Sequence, residues 1–149
     1  MRKLVSKKIL KFIISGTLVM FGVIQLIPVE HSNPPIESEI STSPEVRSIL
    51  HRACYDCHSN ETKWPWYSKV APVSWLIAAD VHEGRKELNF STWGKYNPEQ
   101  RTKKLKESWE EIVENEMPPW SYLLMHKSAV LSAEERVILH KWIVDLTVR

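Results

Sequence analysis

The sequence predicts an all-α domain of about four helices with long loops, preceded by an apolar N-terminal helix. Three observations predict it. Helix-start signals recur at Ser43, Asn97 and Ser132, each ahead of apolar residues at helical spacing. No segment alternates apolar and polar side chains as a half-buried strand does. An uncharged run of 18 residues, from Phe12 to Val29, follows a lysine-rich start.

That run comes first in the chain. Its polar members are Ser15, Thr17 and Gln25. Eighteen helical residues rise about 27 Å, just enough for a hydrocarbon core. Residues 1–29 are therefore expected to form a basic start and a transmembrane anchor, with Arg2, Lys3, Lys7, Lys8 and Lys11 on the cytoplasmic side and the rest of the chain exported. A cleaved signal peptide is the competing reading. The run ends in Gln25-Leu26-Ile27-Pro28-Val29-Glu30, with no Ala-x-Ala-like site and no cysteine for lipid attachment, so an uncleaved anchor is expected. The other 120 residues hold 15 basic and 18 acidic side chains, so the basic pI belongs to this segment. No basic face interleaved with aromatics supports nucleic-acid binding.

Residues 30–43 read as a linker, because His31-Ser32-Asn33-Pro34-Pro35 cannot be helix and no apolar period follows. Residues 44–149 read as the domain proper. Ser43-Pro44-Glu45 starts a helix with Val46, Ile49, Leu50 and Ala53 on one face, running into Cys54. Residues 59–71, with Trp64-Pro65-Trp66-Tyr67, read as a structured loop. A second helix begins near Pro72, carries Val73, Leu76, Ile77 and Val81, and weakens around Gly84. Asn97-Pro98-Glu99-Gln100 starts a third, with a stripe of Leu105, Trp109, Ile112 and Val113, which Met117-Pro118-Pro119 stops. Ser132-Ala133-Glu134-Glu135 is a capping box opening a last helix with Ile138, Leu139, Trp142, Ile143 and Leu146.

Within this frame Cys54-Tyr55-Asp56-Cys57-His58 is the attachment signal for c-type haem. The spacing follows from the chemistry. Two thiols add across two vinyl groups on one porphyrin edge, and cysteines three apart on a helical turn reach both. The next residue, His58, then aims its imidazole at the iron as proximal ligand. Rival uses of the cysteines are weaker. A thiol–disulfide redox pair sits after a strand in a βαβ pattern, and none exists here. A structural zinc needs four ligands, yet there are two cysteines and no His-x(3–5)-His pair follows. A bare disulfide remains as the plain structural use. The seven tryptophans, all after residue 60, suit either the packing around a large flat cofactor or an ordinary core.

Met117 is the candidate distal iron ligand. A thioether is soft and neutral and suits both oxidation states, and the proline pair stiffens its loop. Met125, His126 and His82 are alternatives, and ordinary core packing is the plain role of a lone methionine. His51 and His140 sit on expected helices, and His31 lies in the linker. Arg85 is either a surface arginine or a partner for a haem propionate. The run Lys103-Lys104-Leu105-Lys106-Glu107 is a solvated helix face, or a lysine patch steering an acidic redox partner.

Several strings together resemble the haem-binding domain family of bacterial cytochrome c-like proteins. They are Cys54-Tyr55-Asp56-Cys57-His58-Ser59-Asn60, Trp64-Pro65-Trp66-Tyr67-Ser68 and Ala71-Pro72-Val73-Ser74-Trp75-Leu76, followed by Leu88-Asn89-Phe90-Ser91, Met117-Pro118, Tyr122 and Leu131-Ser132 with Glu135. The resemblance covers roughly residues 34–146. It implies a cytochrome c-like fold, one covalent haem c, and a place in the envelope of a Gram-negative bacterium, here the inner membrane with the C-terminal domain in the periplasm. A Met-Pro segment before the last helix supplies the axial methionine in ordinary class I cytochromes c, and Met117 matches it. The expected function is single-electron transfer with redox proteins of the envelope rather than enzymatic catalysis, since no acid, base or nucleophile set stands out. The alternative is a haem-based sensor or a peroxidase-like module, either of which needs an open or displaceable sixth iron site.

Overall fold

A computed structural model describes residues 2–148, with side chains described from Lys7 onward. Among the described residues every regular element is helical, as expected of an all-α chain. The α-helices are α1 (Arg2–Ile24), α2 (Pro44–Ala53), α3 (Tyr55–His58), α4 (Val73–Glu87), α5 (Pro98–Glu114), α6 (Trp120–Leu123) and α7 (Ala133–Thr147). Short 3-10 segments at Trp66–Lys69, Phe90–Lys95 (kinked at Thr92) and Lys127–Ala129 punctuate the loops.

The caps form as their chemistry requires. Ser43 accepts a hydrogen bond from the Val46 N–H, and Pro44 occupies the first helical position, where its missing N–H costs nothing. Asn97 with Gln100 and Ser132 with Glu135 both close full capping boxes. Helix α5 ends before the expected proline stop. Asn115 takes a left-handed conformation (φ 63°), which its short polar side chain tolerates. Arg136 of α7 then donates to the Ile112 carbonyl (2.6 Å) and to Asn115 Oδ1 (2.9 Å), satisfying groups the helix end leaves open.

The chain divides into two units. One holds Met1–His31 and Trp64–Ala79, the other Ser32–Lys63 and Asp80–Arg149. In the first unit α1 stops at Ile24, and Gln25–Ile27 turn away from the helix. The cause is local. The Gln25 side chain leaves the helix axis to bond both the N–H (2.9 Å) and the C=O (3.1 Å) of Ala71. His31 Nε2 donates to the Ser68 carbonyl at 2.6 Å, and its ring meets Trp64 edge-on. The uncharged part of α1 is thus only the thirteen residues from Phe12 to Ile24, about 20 Å of helix. Among the described residues no helix is long and apolar enough to cross a membrane, which corrects the expectation of a transmembrane anchor over Phe12–Val29. Arg2 and Lys3 of the basic start have no described side chains. Apolar side chains such as Phe12, Leu18, Val19 and Met20 are nonetheless exposed around α1.

The second unit carries the core. Val46, Ile49, Leu50 and Ala53 of α2 pack with Leu105 and Ile112 of α5 and Leu139 and Ile143 of α7. Tyr55, Phe90 and Trp93 extend that core. Other stripe positions lie outside it. Leu76 is 65% and Val113 54% exposed, and Val81 alone of the expected α4 stripe is buried. Residues 32–43, expected as a linker, are non-helical but tied into this unit. Glu37 and Ser38 N–H groups both reach the Ser91 carbonyl (3.1 Å each), Ile40 N–H reaches Phe90 O (3.0 Å), and the Ile40 side chain is buried. Helix α4 runs on through Gly84 to Glu87 rather than weakening there.

Candidate haem cavity

Helix α2 ends at Ala53, and the chain kinks at Cys54 (φ −126°, ψ −35°) before the single turn of α3. The Cys57 and His58 N–H groups both bond the Cys54 carbonyl (3.2 and 2.9 Å), so the five-residue motif is one closed helical turn. The kink differs from the straight run expected of α2. It leaves Cys54, Cys57 and His58 lining one cavity of about 670 Å³, well within the range of small-molecule sites.

The motif is fixed from behind. Tyr55 is buried, and Ser59 Oγ donates to its carbonyl at 2.7 Å. Asn60 N–H bonds Ser91 Oγ, and Asn89 donates to Asn60 Oδ1. Gly84 packs directly on Cys57. A Cβ at that position would meet the Cys57 carbonyl oxygen at 2.7 Å, so only glycine permits this approach. The Gly84 and Leu88 carbonyls then face His58 Nδ1 at 2.9 and 3.1 Å. A carbonyl only accepts, so Nδ1 carries the proton and Nε2 keeps its lone pair. This is the arrangement that orients and strengthens a histidine ligand. Burial holds the imidazole below its usual pKa, against the effect of those carbonyls, so it is neutral and able to coordinate.

Both cysteines are free thiols, each pushed up to about 12. Burial is the main cause for each. Cys57 adds to the shift at Cys54, and Asp56 adds to it at Cys57. Thiol–disulfide exchange is favoured by the opposite shift, toward the thiolate, so burial of the thiols weighs against a redox pair.

Met117, Pro118, Pro119 and Tyr122, from a later part of the chain, line the same cavity. Met117 N–H bonds the Glu111 carbonyl (3.2 Å), which hangs the loop from the end of α5. Met117 itself is 37% exposed. Tyr122 Oη donates to Asp56 Oδ2 at 2.7 Å, linking the Met117 side of the cavity to the attachment motif. Leu50, Leu105, Ile112, Leu139 and Ile143 supply an apolar lining. Of the candidate sixth ligands, Met117 lines the cavity. His82, Met125 and His126 lie elsewhere, with Met125 exposed and His126 stacked on Tyr122.

Other expectations change here. Arg85 is neither a solvated surface residue nor a cavity residue. It donates to Ser59 O, Ser32 O, Asn33 Oδ1 and Thr62 Oγ1, all at 2.8–2.9 Å, and staples residues 32–33 to the segment after the motif. Trp142 is the one tryptophan of the cavity lining, so the other six do not surround it. His140 stacks on Trp109. Lys103 pairs with Glu107, and Lys104 reaches the Glu87 carbonyl. The mouth is acidic rather than lysine-rich, with Asp80, Glu83, Glu87, Glu107, Glu110 and Glu111 against Lys104.

A neutral imidazole above an apolar floor is a donor and an environment that suit a haem. No curated protein and no solved structure was found to match the chain. A haem-binding domain family matches residues 19–145, reaching further toward the N-terminus than the resemblance over 34–146 and taking in the Gln25 and His31 contacts. Since that match spans most of its length, the chain belongs to the haem-binding domain family, and haem is its cofactor.

Proposed function

We propose that Cys54 and Cys57 hold one haem c through thioether bonds, that His58 and Met117 are its proximal and distal iron ligands, and that the domain passes single electrons. The supporting observation is the shared cavity. It places both thiols, the carbonyl-anchored His58 and, from another part of the chain, Met117 around one apolar space. Bound haem supplies a one-electron Fe(III)/Fe(II) couple. The chain's own residues do the rest. His58, held by Gly84 and Leu88, keeps one orientation in both states. The Met117 thioether, neutral and soft, suits both and raises the potential. The reading is therefore an electron carrier rather than an enzyme.

In this reading the domain is exported to the periplasm, and the exposed apolar surface of α1 holds it at the inner membrane. Its envelope redox partner presents basic residues to the acidic mouth of the cavity.

The test is production of the full chain with haem-attachment factors present. A haem stain surviving denaturation is expected, and it is lost when Cys54 and Cys57 are both changed to Ser. Met117→Ala should abolish the far-red methionine-to-iron absorption and lower the midpoint potential. An unchanged spectrum removes Met117 as ligand. Rapid CO binding by the reduced wild type supports a sensor or peroxidase-like module instead. Recovery of the chain in the soluble periplasmic fraction contradicts the membrane attachment.

A further inference from the structure

We propose that Glu39, His51 and Glu61 form a binding site for one divalent transition-metal cation of the zinc class, separate from the haem cavity. None of the three lines that cavity. Each offers one ligand atom, and these atoms lie within 4.8 Å of one another. The centre of such a triangle is about 2.8 Å from each corner, so shifts of roughly 0.7 Å bring all three to the 2.0–2.2 Å of zinc ligation. One imidazole with two carboxylates suits zinc and its neighbours, whereas magnesium and calcium prefer oxygen alone.

A second observation points the same way. Glu61 is half-buried, yet its Oε2 is shut away from solvent and has no hydrogen-bond partner among the described residues. Carboxylate oxygens shut away from water need a donor or a positive charge. The ligands are also backed by an outer layer. Tyr55 Oη donates to Glu39 Oε1 at 3.2 Å, and the Tyr55 ring stacks on His51 at 3.8 Å.

Arg47 is the competitor. Its Nη2 contacts both Glu39 oxygens (3.3 and 3.1 Å) and its Nε points at His51 Nε2 (3.4 Å), so it covers two of the three ligands. Its side chain is 57% exposed, free to swing into solvent when a metal enters. An ordinary ion-pair network and a metal site therefore differ in one measurable respect. Removing Arg47 weakens the first and strengthens the second.

The experiment is calorimetric titration of ZnCl₂ into the full, untagged chain with Cys54 and Cys57 blocked, by haem or by alkylation. One equivalent of Zn²⁺ should bind with a Kd below about 100 μM. His51→Ala and Glu61→Gln should each weaken it at least about tenfold, and Arg47→Met should tighten it. MgCl₂ should give no saturable binding. Absence of one-to-one Zn²⁺ binding overturns the site. So does equal affinity in His51→Ala, equal affinity in Glu61→Gln, or weaker affinity in Arg47→Met. Circular dichroism of each variant separates lost ligands from lost structure. The outcome is independent of how haem is attached.

Discussion

The two walls of the cavity are built to different standards. The wall formed by the attachment motif is a closed turn, packed against Gly84, backed by the buried Ser59, Asn60, Asn89 and Ser91, and bonded at His58 Nδ1 by two carbonyls. The wall formed by Met117–Pro119 hangs from the Glu111 carbonyl, and its methionine is partly in solvent. The difference teaches where rigidity is needed. Two covalent bonds and a first ligand tolerate little error in direction, so their wall is set before any cofactor arrives. A flexible thioether reaches its partner from a looser support.

The most severe way to break this contrast is at Gly84. A Cβ there meets the Cys57 carbonyl oxygen at 2.7 Å and the Cys57 carbonyl carbon at 3.1 Å, and backbone cannot move aside as a side-chain tip does. Gly84→Ala should therefore push α4 away from the motif and separate His58 from both carbonyls. We expect a loss of about 2–3 kcal/mol, although alanine is the better helix former by about 1 kcal/mol. The urea midpoint of the purified chain measures it. A midpoint equal to or above wild type would refute the rigid wall.

The second break is the link between the walls. Tyr122→Phe removes the donor to Asp56 Oδ2 and leaves a carboxylate oxygen of the motif without that partner. A loss of about 1–2 kcal/mol is expected, since hydrogen bonds to charged groups are worth more than neutral ones. If Met117 ligates the iron, the far-red band should also be lost at a lower temperature than in wild type. Unfolding that coincides with wild type would show that each wall stands alone.

The same contrast explains what the sequence disclosed. The attachment motif, the caps at Ser43, Asn97 and Ser132, and the core positions of α2 depend on spacing within a few residues, and all could be read directly. Gly84 read as a weak point in a helix because its purpose lies 27 positions earlier, at Cys57. Arg85 read as surface because all four of its partners are remote in sequence. The strap over residues 32–40 read as linker because its bonds go to Phe90 and Ser91 and leave no periodicity. The uncharged run after Lys11 reads as one helix because the partner that turns Gln25 aside, Ala71, lies 46 positions away. The tryptophans carried a compositional signal without an address. The one glutamine inside an apolar run was the cue that the turn at Ile24 offered.

The smallest expected effect concerns the α2–α7 contact beside the rigid wall. Arg52 of α2 pairs with Glu135 of α7, whose other oxygen accepts the Ser132 N–H at 2.9 Å. The Ser132 N–H is the larger cause holding the Glu135 pKa below its ordinary value. Burial opposes it and Arg52 adds to it. The folded value is lower than the unfolded one, so the charged carboxylate stabilises the fold above the usual glutamate range and stops doing so as pH falls through it. Arg52→Gln should cost less than about 1 kcal/mol at neutral pH, because the pair is partly exposed. Melting temperatures of wild type and variant should converge once the pH has fallen below the usual glutamate range and through the lowered folded value, where Glu135 is protonated in the folded as well as the unfolded chain. A gap that persists there would assign the role of Arg52 to its other bond, from Nη1 to the Val130 carbonyl at 3.3 Å, which no carboxylate titration alters.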